Sequence, residues 1–151
     1  MNPTLYFLRS SEQYVLKKMV PFAFGLDTKI YGETDMHALE PFYDFYGYTK
    51  NDMGLYALIN GEVAGAVWAR KISTQTKPQG FYEDNTPVLS IGVLPKFKNQ
   101  GIGSAMMEQF LAEMSVLYKA ASIAIMPNSH AESFLKKFDF QRVEGNNCND
   151  I

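Results

Sequence analysis

Residues 88–104 read VLSIGVLPKFKNQGIGS. An apolar, β-prone run ends at Val93, a loop carrying Lys96 and Lys98 follows, and Gln100-Gly101-Ile102-Gly103-Ser104 opens a helical pattern. That order suits an anion. The first-turn N–H groups of a helix have no internal acceptor, and the aligned peptide dipoles place partial positive charge there. Glycines let a phosphate approach the backbone closely, and lysines add charge. No Gly-Lys-Ser/Thr occurs, so this is not a P-loop. The third glycine of the dinucleotide fingerprint is missing too, and no βαβ unit begins the chain. Spacing alone leaves two readings open: an anion cradle, or two glycines that let a helix pack tightly on a strand.

Other reactive side chains are sparse. Cys148 is the one cysteine, so no intramolecular disulfide forms, and no Cys/His cluster has zinc-site spacing. No metal site is expected. His130 falls in a helix first turn, where a structural or exposed role is expected, and Cys148 lies in a polar tail as an incidental thiol.

These residues must be positioned by a mixed set of elements. Residues 4–9 (TLYFLR) read as a first strand. A helix follows, with an S-x-x-Q capping box from Ser10 to Gln13, and it should stop near Pro21. Residues 22–52 are interrupted by Gly25, Gly32, Pro41 and Gly47, with a second helix over 34–46 broken or bent at Pro41. Two β-prone runs, 55–59 and 62–72, are joined by Asn60–Gly61, a strong hairpin signal because both positions need positive φ. A polar loop, 73–86, leads to a strand over 87–93.

The next helix is expected over 101–119. Its apolar positions are Gly103, Met106, Met107, Phe110, Leu111, Met114, Leu117 and Tyr118, one face of a 3.6-residue period. A buried strand over 121–126 precedes a helix over 129–138, which has a capping box from Ser129 to Glu132 and a stripe at Ala131, Phe134, Leu135 and Phe138. A last strand is expected over 140–144. The order is β-α-(α)-β-β-β-α-β-α-β, a mixed α/β arrangement.

A chain of 151 residues suits one domain, and 46% hydrophobic with 20% charged residues is ordinary globular usage. No apolar stretch reaches membrane-span length, and the N-terminus lacks the pattern of a signal peptide. Residence in the cytoplasm is expected. A net charge of −2 argues against a nucleic-acid partner, which calls for a basic surface.

The motif V-x-P-x-x-K-x-x-G-x-G-S resembles the pyrophosphate-binding motif of the GNAT superfamily of N-acetyltransferases, Arg/Gln-x-x-Gly-x-Gly/Ala, with Lys98 in its first place. Asn128, Ala131, Phe134, Leu135, Phe138, Asp139 and Phe140 resemble the family's second motif, an Asn followed by an aliphatic–Tyr pair and Gly-Phe. The Arg9 start, the Asn60–Gly61 hairpin and the element order agree. The resemblance implies an α+β fold: a mixed, mostly antiparallel sheet of about six to seven strands flanked by about four helices. A parallel pair, 87–93 and 121–126, would splay apart at the cofactor site, and residues 1–151 would form one such domain.

It further implies acetyl-CoA as cosubstrate, its pantetheine arm adding to the splayed strand as in β-augmentation. Ile91, Gly92 and Val93 would bond that arm, and the amides of Asn99, Gln100, Gly101, Ile102, Gly103 and Ser104, beside Lys98, would hold the pyrophosphate. Asn128 would contact the arm from the opposite strand, or serve simply as a helix cap. A free N–H near Val93 would face the oxyanion formed when a primary amine attacks the thioester. The acceptor would be a small amine, a polyamine-like compound or a lysine side chain. An acyl-CoA-binding sensor with little turnover is the alternative.

Two departures concern proton transfer. Leu135 stands where many relatives carry a general-acid Tyr, and Ile123 where some carry a Glu. Tyr82 or Tyr118 are substitute acids, and Glu83 and Asp84, just before the cofactor strand, are candidate bases. The second motif's Gly is Asp139 here. Residues 21–48 hold eight aromatics (Phe22, Phe24, Tyr31, Phe42, Tyr43, Phe45, Tyr46 and Tyr48) among five carboxylates and one lysine. Most should pack the core, with one or two facing a cationic acceptor. The short tail after Gln141 leaves an edge that a second copy would cover in a homodimer.

Overall fold

The computed structural model describes residues 3–23, 40–44, 46–47, 52–71, 86–123 and 131–141. Its sheet has four strands among the described residues, all antiparallel: β1 (Thr4–Phe7), β2 (Met53–Ile59), β3 (Glu62–Arg70) and β4 (Val88–Val93), in that spatial order. The β2–β3 hairpin turns at Asn60 (φ 52°) and Gly61 (φ 81°), the left-handed pair that the Asn-Gly signal demands. Helices α1 (Gln13–Ala23), α3 (Ile102–Met114) and α4 (Ala131–Lys136) and the single turn α2 (Glu40–Tyr43) complete the described elements. A parallel bridge, Val88↔Ser122, places the segment after α3 beside β4.

Strand alternation divides the core into two layers. Trp68, Ala66 and Val88 point to one face and pack with Val15, Leu16, Met19 and Val20 of α1 and with Phe42, Tyr43 and Tyr46. Val67, Ala69 and Leu89 point to the other and pack with Met106, Met107, Phe110 and Met114 of α3 and with Leu135 of α4. Of the aromatics expected between residues 21 and 48, Phe42, Tyr43 and Tyr46 are therefore core, and Phe24, Tyr31, Phe45 and Tyr48 lie outside the described residues.

Several boundaries differ from the sequence expectation. The capping contact sits one residue earlier: Glu12 Oε1 accepts from Arg9 N–H at 2.9 Å, and a 3-10 turn over Ser10–Glu12 precedes α1. Glu12 is chosen over Gln13 because its other oxygen accepts from Tyr56 O–H on β2 at 2.8 Å. Burial opposes ionisation of this carboxyl, yet the bonds from Arg9 and Tyr56 and the Arg9 charge hold its pKa below the usual value.

Pro21 lies inside α1 rather than ending it. Its missing N–H costs one bond in the last turn, and two more residues complete the helix over β4. The α3 helix stops at Met114, not Lys119: beyond it Val116 is 80% and Leu117 61% exposed, so no sheet remains to bury a further turn. Of the helix expected over 34–46, the structure describes the turn at 40–43 with Pro41 inside it. The expected strand over 121–126 is described to residue 123, where it is a single bridge. Phe140 and Gln141 are not in a strand, and the rest of the 140–144 expectation lies outside the described residues.

Candidate functional site

The register of β4 decides which backbone groups are available to a ligand. Leu94 N–H donates to Ala64 O at 2.8 Å, so the pairs Ala66↔Gly92, Trp68↔Ser90 and Arg70↔Val88 exchange their bonds with β3. The intervening residues Leu89, Ile91 and Val93 direct their N–H and C=O to the opposite edge. Leu89 N–H is taken there by Ser122 O at 2.7 Å, and Ser122 N–H returns a bond to Pro87 O at 3.0 Å. Among the described residues this parallel pairing goes no further, and Ile91 and Val93 line a cleft of about 600 Å³. Gly92 lines it too, but its own backbone bonds lie within the sheet. Its missing side chain serves the other face, where a Cβ would meet Ala23 N and Met19 O of α1 at 3.0 Å.

The loop after β4 builds the cleft's polar end. A 3-10 turn over Pro95–Phe97 closes with Lys98 N–H on Pro95 O (3.2 Å). The next amide with a backbone acceptor among the described residues is that of Ala105, on Gly101 O at 3.0 Å. Between them, the amides from Asn99 to Ser104 run without an acceptor, and α3 has no side-chain cap. Asn99 (φ 64°) and Gly101 (φ 80°) are both left-handed, which coils the backbone around this end of the cleft. A Cβ on Gly101 would have nothing within 4 Å, so it is the left-handed φ that favours glycine here, and its missing side chain leaves the approach to the backbone open.

The structure separates the two lysines of the loop. Lys98 lines the cleft beside Asn99, Gly101, Ile102, Gly103 and Ser104. Lys96 turns away: its Nζ pairs with Glu62 Oε1 at 2.8 Å and lies 5.3 Å from the centre of the Phe97 ring. Gln100, expected in the same cradle, is exposed and donates from Nε2 to Lys96 O at 3.3 Å.

The remaining walls were not foreseen from sequence. Phe22 from the end of α1, Phe97, and Phe134 with Lys137 from α4 and its closing turn face the same space. A Cβ on Gly103 would stand 3.5 Å from Phe134 Cζ, so the aromatic ring lies directly against the helix start. Phe134 was legible as an apolar stripe position, but not which wall it forms.

Leu135, in the place of the relatives' Tyr, is 2% exposed within the α3-face core, and Ile123 is buried there too. Neither position offers a proton donor. Tyr118 is not brought to the cleft. It follows the far end of α3, roughly 20 Å of helix from the cradle, with Lys71 Nζ 5.7 Å from its ring centre. Burial, and then the charge of Asp52, raise its pKa. Asp139 has φ 68° and ends α4 with its N–H on Lys136 O (3.2 Å) and Phe140 N–H on Leu135 O (3.3 Å). This is a Schellman closure, which explains why relatives carry glycine there. Glu83, Asp84, Tyr82, Asn128, His130 and Cys148 lie outside the described residues. Among the described residues no three His, Cys, Asp or Glu side chains are grouped to hold a metal ion. No helix among them is long and apolar enough to cross a membrane.

The acetyltransferase (GNAT) family profile matches residues 20–140. No curated protein matches in sequence. Among solved structures, the chain resembles a GCN5-related N-acetyltransferase from Ralstonia eutropha JMP134, with a TM-score of 0.71, 14% identity and 96% of each chain covered. It resembles the PaiA N-acetyltransferase from Thermoplasma acidophilum in complex with coenzyme A, with a TM-score of 0.65, 12% identity, and coverage of 99% of this chain and 96% of that one. A third likeness is to AAC(6')-Iy in complex with the bisubstrate analogue CoA-S-monomethyl-acetylneamine: TM-score 0.62, 11% identity, 95% and 94% covered. At such identities the likeness is one of fold, a mixed α+β arrangement on an antiparallel sheet. Because the family profile spans most of the sequence, this chain belongs to the GNAT acetyltransferase family.

Proposed function

We propose that the protein is an acetyl-CoA-dependent N-acetyltransferase that acetylates a primary amine by direct attack. The observation that carries this reading is the row of amides from Asn99 to Ser104 that have no acceptor among the described residues, lining one cleft with Ile91 and Val93 of β4. A pyrophosphate fits the first feature and an extended amide-bearing arm the second. The reading takes residues 1–151 as one domain, with the parallel pairing begun at Ser122 continuing as a splayed strand and further strands completing the sheet.

Acetyl-CoA supplies a thioester whose carbonyl carbon accepts the amine lone pair, after which the C–S bond breaks and the thiolate departs. The chain's part is to hold and polarise. The amides of Asn99 to Ser104 and the Lys98 charge anchor the diphosphate, and the edge-facing N–H of Ile91 or Val93 is a fixed donor for charge developing on the carbonyl oxygen. With Leu135 in the core, no side chain at that position protonates the leaving group. A thiolate of pKa about 8.5 takes its proton from solvent. Glu83 and Asp84 are the proposed bases. Asn128 is proposed to contact the arm. AAC(6')-Iy was crystallised with an acetylneamine conjugate, which supports an amine acceptor. The alternative, an acyl-CoA sensor with little turnover, draws on the same buried Leu135.

Thiol release from acetyl-CoA against a panel of polyamines, aminoglycosides and lysine peptides tests the reading. Steady release dependent on one acceptor is expected, and its loss in Gly101→Val, where a β-branched residue is forced into left-handed φ. Tight binding with acceptor-independent background hydrolysis would establish the sensor instead.

A further inference from the structure

Among the described residues, the buried polar or charged ones are Glu12, Thr86, Ser90 and Ser122. Glu12 is held by Arg9 and Tyr56. Ser90 differs. It is 3% exposed, and its Oγ meets no hydrogen-bond partner among the described residues. A hydroxyl buried in that state forfeits its bonds to water and gains none in exchange, a penalty that alanine would not carry. It is also the one polar side chain of β4, whose sequence is VLSIGV.

The register limits which partner can reach it. Ser90 pairs with Trp68, so its backbone bonds go to β3 and its side chain lies on the α1 face, with Trp68 and Val88. Gly92, two residues on along that face, is closed over by the backbone of Met19 and Ala23 in α1. Between them is Ile91, whose N–H is turned to the cleft edge of β4. A carbonyl oxygen bonded to that N–H lies near the plane of the sheet. The two sides of its planar thioester then look toward the two faces of the sheet, and an amine must attack across one of them. On the α3 face the neighbours are apolar: Ile91 and Val93, with buried Ile123 and Leu135. An amine arriving there would shed its water without a replacement. On the α1 face β4 offers the Ser90 hydroxyl.

Resting on the acetyl-transfer reading above, we infer that the acceptor amine attacks from the α1 face of β4 and that Ser90 Oγ accepts a hydrogen bond from its nitrogen. The nitrogen lone pair forms the bond to the carbonyl carbon, and the C=O π pair moves onto the oxygen at the edge N–H. Collapse of that adduct expels the thiolate. As the C–N bond forms, the nitrogen gains positive charge and its N–H groups become stronger donors, so the bond to Ser90 tightens in the transition state. Ser90 loses no proton and forms no covalent bond. The extra proton on nitrogen passes to the proposed base, Glu83 or Asp84, and the thiolate takes its own from solvent. The hydroxyl is thus satisfied in the ternary complex and not before it.

Ser90→Ala tests this through thermal unfolding, coenzyme A binding by calorimetry, and turnover with the amine that supports steady thiol release. The variant should unfold no earlier than wild type and bind coenzyme A equally well. Its kcat/KM for the amine should fall about ten- to hundredfold, the loss of one hydrogen bond to a group gaining charge. Undiminished turnover in Ser90→Ala overturns the inference and leaves the acetyl-transfer reading standing. So does a variant that melts earlier and loses coenzyme affinity and turnover together, because the hydroxyl is then a structural tether. A wild type that binds coenzyme A but releases no acceptor-dependent thiol overturns both.

Discussion

On the α1 face of the sheet, Trp68 Nε1 donates to Phe42 O at 2.7 Å and Tyr46 O–H to Leu8 O at 3.4 Å. Arg70 donates to Asp44 O at 2.6 Å and Pro41 O at 3.1 Å, and its fork grips Asp52, whose second oxygen also accepts from Gly47 N–H. On the α3 face the contacts are those of Leu89, Ile102, Met106, Met107, Phe110 and Met114, all apolar. The cause is backbone regularity. Glu40–Tyr43 is a single helical turn, so the carbonyls of Pro41, Phe42 and Asp44 need side-chain donors if they are to be buried. Helix α3 satisfies its own backbone everywhere except its first turn. Polar side chains are thus consumed in tethering on one face, while on the other, among the described residues, the amides from Asn99 to Ser104 are left without an acceptor where the cleft opens.

If that division is right, the largest effect belongs to the tether. Arg70→Met strands Asp52, whose side chain is 2% exposed, and removes the donors to Pro41 and Asp44. A loss of about 3–5 kcal/mol is expected in urea unfolding. The apolar comparator is Met106→Ala, at about 2–3 kcal/mol with coenzyme affinity nearly unchanged. An Arg70 variant as stable as wild type would dissolve the contrast. The smallest effect sharpens it from the site side: Asp139→Gly relieves a left-handed residue at the end of α4 and should add about 0.5–1 kcal/mol in thermal unfolding.

The features legible in the sequence are local in origin. Asn60–Gly61 and Gly101 announce positive φ, and the Met106–Met107–Phe110–Met114 stripe announces a helix face, since each is written within a few residues. Where α3 ends was not legible, because Met114 is terminal only through the extent of the sheet beneath it. The sequence pattern points to a cap from Ser10 to Gln13 rather than at Glu12 for the same kind of reason: the second partner of Glu12, Tyr56, is 44 residues away. In the site, the amide row followed from Gly-x-Gly at a helix start. The commitment of Lys96 to Glu62, the burial of Leu135 and the place of Lys137 all depend on which walls the fold brings together. A lysine's charge is visible in sequence; its partner is not.

The central claim is that a diphosphate ligand occupies the α3 start and the free edge of β4. Backbone amide chemical-shift mapping during titration with coenzyme A tests it most directly. Saturable shifts at Asn99 to Ser104, with Ile91 and Val93, are predicted, while Trp68 and Tyr46 on the far face stay still. Saturating coenzyme that leaves the Gly101 and Gly103 amides unmoved, or that shifts the far face instead, would contradict the account.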